Sequence, residues 1–482
     1  METVQNPTVM NPRIAILGAG VSGLAAAKQL SHYNPMVFEA SDSIGGVWKH
    51  CSYNSTKLQS LRCDYEFSDF PWPDRDNSSF PSHAQILDYL HAYAMRFDLM
   101  KLVRFNSKVV EVRFIGDQKP TDNLADYGSL LPEQPAWEVA VQTQESESVQ
   151  WHSFEFLVIC IGKYGDIPKI PSFPHNNGPE IFQGQVLHTI NYSKLDREAA
   201  TELLKGKKVV VVGYKKSGID LAMECAEANQ GPEGQPCTMI VRTIHWTVPH
   251  YWRRAISKFI ESYLVWKLPL KKYGLKPDHP FEEDYASCQM AIMPENFFSE
   301  ADEGRIVFKR PNKWWFWEGG IEFDDGNRLE ADVVVFATGY DGKRKLKSIM
   351  PEPFRSLMEF PSGIMPLYRA TIHPLIPNMA FLGYVESVSN LHSAELQSKW
   401  LSHLLDEKFK LPGVEDMLEQ TTKEIEVMKK TTRFYKRHCI SVFSINHDDE
   451  ICRDMGWNVL RKKNWLAEAF SPYTSQDYEK ED

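Results

Sequence analysis

The chain has no Cys-x-x-Cys pair. Its eight cysteines (Cys51, Cys63, Cys160, Cys225, Cys237, Cys288, Cys439 and Cys452) are scattered along 482 residues. That spacing argues against a thioredoxin-like redox couple and a zinc ribbon, and no metal is expected. Scattered cysteines of this kind read as buried thiols in a reducing compartment. Basic charge is also in short supply, with 54 Lys+Arg against 64 Asp+Glu and a net charge of −10. Nucleic-acid binding needs a basic face, so that partner class is excluded. Long apolar runs are missing too. No segment approaches the roughly 20 apolar residues of a membrane span. The greasiest stretch, FIESYLVWKLPL, is interrupted by Glu261 and Lys267. Residues 1–12 are polar and contain Pro7 and Pro12, without the charged-then-apolar order of a secretory signal. These absences predict a cytoplasmic protein with no transmembrane span.

What is present is an ordinary soluble composition, 43% hydrophobic and 24% charged, with a somewhat high aromatic share of 12%. A chain of this length is too long for one core and predicts two or three domains.

The stretch RIAILGAGVSGLAAAKQL, Arg13 to Leu30, joins a short apolar strand to an Ala-rich helix through Gly18, Gly20 and Gly23. The glycines stand in G-x-G-x-x-G register. The first allows a sharp turn, the second close approach of a pyrophosphate, and the third packing of helix on strand. The helix N-terminus offers free N–H groups to phosphates. A second strand, PMVFEA, ends in Glu39, where a carboxylate accepts ribose hydroxyls. Gly45-Gly46 follow soon after, as where a flavin-binding chain passes its cofactor again, with Trp48 placed for the isoalloxazine edge or for plain core packing. The cofactor read here is FAD.

A second turn, GKKVVVVGYKKSGIDLAMECA, follows a buried strand at Val209–Val212. Gly213, Lys215 and Gly218 hold the three glycine positions, so the middle one is lysine, and Ser217 lies within the turn. A side chain at the middle position displaces the pyrophosphate or becomes its ligand. The next strand, CTMIVRT, is read as ending at Arg242. An arginine there suits a 2′-phosphate, so the second cofactor is NADPH.

Two further apolar runs finish in glycine, FEFLVICIG at Gly162 and ADVVVFATG at Gly339, the latter preceded by Thr338. They are read as crossing points, where the chain leaves the FAD sheet and returns. The expected fold is α/β, with two Rossmann-like dinucleotide-binding domains. Residues 1–162 and 336–482 form the FAD domain with C-terminal helices, and 163–335 form an inserted NADPH domain. Asp324-Asp-Gly326 reads as a hairpin turn.

Phe182, Gly184, His188 and Tyr192 give F-x-G-x-x-x-H-x-x-x-Y between the two turns, and FSDFPWP lies at Phe67 to Pro73. With the A-T-G-Y strand, this set resembles the flavin-containing monooxygenases over nearly the whole chain. EASDSIGGVW, KYGLKP, EDYASCQM and FYKRHCIS are similar to the plant branch that N-hydroxylates pipecolic acid in systemic immune signalling. The resemblance implies that NADPH reduces FAD and that reduced flavin forms a hydroperoxide with O₂. A soft nucleophile in a small-molecule substrate then takes up one oxygen. It implies no acid–base triad, and His188 is read as structural.

Many members of the family carry a Thr-Asn pair before F-S-D-F-P. Here the place reads Gln59-Ser60, the candidate catalytic residues, the glutamine keeping an amide with longer reach. The stretch from His250-Tyr-Trp252 to Lys258-Phe-Ile260 is short beside the family, which removes channel wall or a membrane-touching surface. Thioether S-oxygenation, oxidative decarboxylation of an indole keto acid in auxin synthesis, and a poorly active FAD-binding variant with a regulatory role remain the alternatives. A flavin disulfide reductase is disfavoured by the missing Cys-x-x-Cys. Peripheral contact with the endoplasmic reticulum stays open, and nothing in the sequence sets the oligomeric state.

Overall fold

The computed structural model describes residues 12–116, 128–143, 148–249, 257–358, 363–441, 444–471 and 473–479. The strands that position the site run, in chain order, β1 (Ile14–Leu17), β2 (Met36–Phe38), β3 (Val103–Arg104), β4 (Phe156–Ile159), β5 (Gln185–His188), β6 (Val209–Val212), β7 (Cys237–Ile240), β8 (Thr247–Pro249), β9 (Ala291–Met293), β10 (Ile306–Lys309), β11 (Val333–Phe336) and β12 (Met379–Phe381). The helices used below are α1 (Val21–Gln29), α2 (Val47–His50), α3 (Lys216–Ala228), α4 (Ser257–Lys267), α5 (Phe281–Ala286) and α6 (Asn390–Leu405).

The first sheet has the order β12-β4-β1-β2-β3, all parallel. Both faces are buried, which is why its strands read as continuous apolar runs. Ile14 and Ile16 face one core with Leu24, Leu396 and Trp400, which lie on α1 and α6. Ala15 and Leu17 face the other, with Trp137, Leu346 and Phe354. Side chains alternate between faces along each strand.

The second sheet has the order β10-β7-β6-β11-β5, also parallel. Val209 and Val211 pack beneath α3 with Ile219 and Ala222. Val210 and Val212 pack against Phe316, Ile321 and Phe336. The β11 strand pairs Val333 with Val209 and Phe336 with His188, so it lies inside the second sheet. The return to the first sheet therefore comes after Phe336, with Leu346 and Ile349 in its core. The hairpin at Asp324–Gly326 joins two antiparallel strands, Gly320–Phe323 and Arg328–Glu330.

The cysteines depart from expectation. Cys288 and Cys439, 151 residues apart, form a disulfide with Cα atoms 5.9 Å apart. Of the six free cysteines, Cys51 and Cys63 are only half-buried. Non-local pairing of this kind leaves no local spacing to read. Among the described residues, no helix is long and apolar enough to cross a membrane.

Candidate active site

The first turn is closed by backbone alone. Gly18 has φ +102°, and a Cβ on it would stand 2.7 Å from the Cys160 carbonyl oxygen. A Cβ on Gly23 would meet the Gly18 carbonyl oxygen at 1.8 Å. Gly20, the residue before α1, faces Gly46, and a Cβ on Gly46 would come within 3.2 Å of the Gly20 Cα. The Gly45 N–H donates to Ala19 O at 3.1 Å, so the two glycine segments sit against each other. Side chains are excluded from a cradle at a helix N-terminus, which fits a pyrophosphate.

Glu39 lies just past β2, not within it. Its Oε2 accepts the Ala19 N–H at 2.8 Å, and its Oε1 accepts the Ser41 N–H and hydroxyl at 2.9 and 2.8 Å. The carboxylate is thus fixed at the lip of the turn. Trp48, on α2, is half-buried and donates its indole N–H to the Tyr65 hydroxyl at 2.8 Å, with the two rings edge-on.

The second turn repeats the geometry with one change. A Cβ on Gly213 would lie 2.5 Å from Ala337 O, and one on Gly218 would lie 2.5 Å from Gly213 O. Lys215 is the residue before α3, in extended backbone (φ −120°, ψ −177°). Its ammonium is hydrogen-bonded to the Gln289 side chain. Burial, then the Arg437 charge, pushes its pKa down to about 8, against the opposing pull of Glu386 and Asp284. Lys216 is paired instead with Asp220. Burial drives the Asp220 carboxyl up to about 6 despite that pair. Arg242 lies two residues beyond β7, with its side chain exposed. Ser217, on the first turn of α3, is exposed, and its carbonyl accepts the Tyr53 hydroxyl.

The segment after α2 joins the two turns. Besides the Tyr53–Ser217 bond, the Ser55 N–H donates to Glu224 on α3 at 2.7 Å. The Gln59 side-chain oxygen accepts the Ile292 N–H of β9 at 2.9 Å, while Ser60 is buried. Thr338 donates its hydroxyl to Lys169 O, and Gly339 (φ +81°) accepts from Lys169 N at 2.9 Å. His188 is 3% exposed. Its Nδ1 accepts the Ile190 N–H at 3.2 Å, which leaves Nε2–H to donate to Gly339 O at 3.0 Å. Both ring nitrogens are committed, so this histidine ties β5 to the chain after β11.

Sequence reasoning missed a cluster that no motif announces. Glu386 pairs with Lys163 and Arg437, each at 2.8 Å, and accepts from the Tyr164 hydroxyl. Burial raises the Glu386 carboxyl, but Lys163 and Arg437 outweigh it and hold it below its ordinary value. Gln289, the partner of Lys215, was missed as well. A basic residue next to Gly162 was the one visible signal. The shortened stretch after Trp252 falls largely in residues 250–256, outside the described residues, and α4 begins at Ser257.

Two glycine cradles, each at the head of a parallel sheet and bridged by residues 53–59, the second carrying Lys215 at its middle position, define a protein that holds two dinucleotides. The chain belongs to the flavin-binding monooxygenase-like family, whose model matches residues 11–459. It is 61% identical to the probable flavin-containing monooxygenase 1 of Arabidopsis thaliana, over 98% of this chain and 97% of the relative. It is 64% identical to the putative flavin-containing monooxygenase 2 of the same plant, over 92% and 97%. Its fold is similar to that of OTEMO in complex with FAD and NADP (TM-score 0.68, 17% identity, 90% of this chain and 93% of that one). The protein is an NADPH- and O₂-dependent flavoprotein monooxygenase with FAD and NADPH as cofactors.

Proposed function

We propose that this monooxygenase N-hydroxylates a small cyclic amine or amino acid such as pipecolate, in the cytoplasm, as a step of plant systemic acquired resistance. The observation that carries the reading is the bridge of residues 53–59, which fastens the flavin segment to α3 and β9. FAD reduced by NADPH supplies the activation of dioxygen, and the chain's part is placement and dryness.

In this reading residues 1–162 and 336–482 hold FAD, through Gly18, Gly20, Gly23, Glu39 and Gly46, with Trp48 bracing the segment behind them. Residues 163–335 hold NADPH through Gly213, Ser217 and Gly218, with Arg242 on the 2′-phosphate. Lys215 serves as a phosphate ligand that must first leave Gln289. Thr338 and Gly339 hold the linker strands beside both nucleotides. Gln59 and Ser60 stand nearest the reacting centre, the glutamine amide orienting the substrate nitrogen.

The alignment with the first Arabidopsis relative runs over 516 positions, more than the 482 residues here, so that relative carries residues this chain lacks. A shorter wall around the nicotinamide admits water, and the enzyme then couples NADPH oxidation poorly to product. Incubating the purified yellow protein with NADPH, O₂ and a panel of cyclic amines, thioethers and indole keto acids tests the assignment. Mass spectrometry should find an N-hydroxylated product. Sulfoxide alone, or decarboxylated product alone, would overturn it.

A further inference from the structure

A buried histidine–aspartate cluster sits behind the second cradle. His245 follows β7, His279 lies just ahead of α5, and Asp284 is on α5. His245 and His279 are each 4% exposed, and Asp284 is fully buried. Asp284 Oδ2 is held by the Trp246 N–H at 2.6 Å. Its Oδ1 lies 2.9 Å from His245 Nδ1 and 3.0 Å from His279 Nε2. One ligand atom from each residue falls within 4.8 Å of the other two. Phe434 covers both imidazoles, with ring centres at 5.1 and 5.0 Å.

The His279 ring is poised in a particular way. Its Nδ1 stands 3.2 Å from Asp278 Oδ1, the place for an N–H donated to a carboxylate. That tautomer leaves a lone pair on Nε2. Nε2 is buried and makes no well-aligned hydrogen bond among the described residues, although Asp284 Oδ1 is 3.0 Å away. Two acceptors this close in a dry site repel unless something positive lies between them. Around one tetrahedral ion with bonds of about 2.0–2.2 Å, ligand atoms stand roughly 3.3–3.6 Å apart, so an ion enters here once the side chains move apart by a few tenths of an ångström. A histidine that ligates a metal ordinarily gives its other N–H to a carboxylate, which is the Asp278 contact.

We propose that His245 Nδ1, His279 Nε2 and Asp284 Oδ1 form a site for one divalent transition-metal ion of the zinc class. Two imidazoles and one carboxylate suit zinc better than magnesium or calcium, which prefer all-oxygen sets. The site is structural. It ties the chain after β7 to α5, and α5 in turn meets the C-terminal segment. There Arg433 pairs with Glu283 at 3.0 Å, and the Ser441 hydroxyl donates to Tyr285 O at 2.6 Å. Gln289, the partner of Lys215, donates its backbone N–H to Asp284 O at 2.9 Å. The ion thus steadies the rear of the NADPH-side cradle.

The test uses the full-length, untagged flavoprotein, stripped with a chelator and titrated with zinc chloride. Bound metal is counted by mass spectrometry and affinity read by competition with a chromophoric chelator. Wild type should bind one zinc per chain. His279→Gln should lose that stoichiometric site. Asp278→Asn should weaken zinc binding about 10- to 100-fold, the usual effect of removing such an outer carboxylate. Asp278 is 88% exposed, so this variant keeps the fold and decides the matter if His279→Gln does not fold. Wild type that binds no zinc, or binds it no more tightly than Asp278→Asn, would overturn the site and leave a proton shared within the cluster.

Discussion

The Gln59 side-chain oxygen accepts the backbone N–H of Ile292 at 2.9 Å, and so joins the flavin-side chain to β9. Gln59 is exposed, and a single neutral hydrogen bond contributes about 1 kcal/mol. Gln59→Ala should therefore leave flavin content unchanged. If Gln59 stands beside the reacting centre as proposed, the change should lower the product formed per NADPH several-fold, because the seam to β9 loosens. Parallel measurement of flavin absorbance and coupling checks this, and unchanged coupling would remove Gln59 from the site.

Gly20→Val places methyl groups between Gly20 and Gly46, where the backbones already approach closely. The expected protein is colourless and less stable. Full flavin occupancy of this variant would show that the pyrophosphate lies elsewhere.

Arg242 should select NADPH through a charge-assisted contact to the 2′-phosphate, which is about 1.5–3 kcal/mol. Arg242→Ala should lose roughly one to two decades of preference over NADH. The ratio of the two flavin-reduction rates measures it, and no change in that ratio would exclude the role.

Lys215 titrates at about 8 in the folded protein, against 10.5 for the free side chain. Between these values the unfolded chain binds the extra proton, so stability rises with pH across that window. As a phosphate ligand the charged form is the one that binds. NADP⁺ affinity should fall as pH rises through about 8, and Lys215→Met should bind more weakly with a flat profile. Tighter binding in Lys215→Met would mean that the lysine obstructs the phosphate.

The Cys288–Cys439 bond gives a direct count. Denatured, unreduced protein should titrate six thiols of eight, and full reduction should release the other two. Eight thiols without reductant would show the pair to be open.

Both cradles were legible because each is local. Strand, glycines and helix lie within about twenty residues, and the Cβ collisions at Gly18, Gly23, Gly213 and Gly218 explain why no other residue stands there. The ends of strands were less so. Glu39 directly follows β2, and Arg242 follows β7 after one more apolar residue, Val241, so each strand stops short of the charged residue that marks its end in the sequence. Sheet membership was not legible at all for β11, since Val333–Phe336 has the same apolar pattern whichever sheet it joins. The Glu386–Arg437 pair and the Cys288–Cys439 bond depend on how the C-terminal segment folds back on earlier chain. No spacing in the sequence records that.

The central claim is that the two cradles together deliver one atom of dioxygen to a substrate nitrogen. Turnover of purified protein with NADPH and pipecolate under ¹⁸O₂ measures it directly. The account predicts an N-hydroxylated product carrying one ¹⁸O, alongside peroxide released by the fraction of NADPH that is not coupled. NADPH oxidation that yields only peroxide, with no ¹⁸O on any nitrogen in the amine panel, would contradict it.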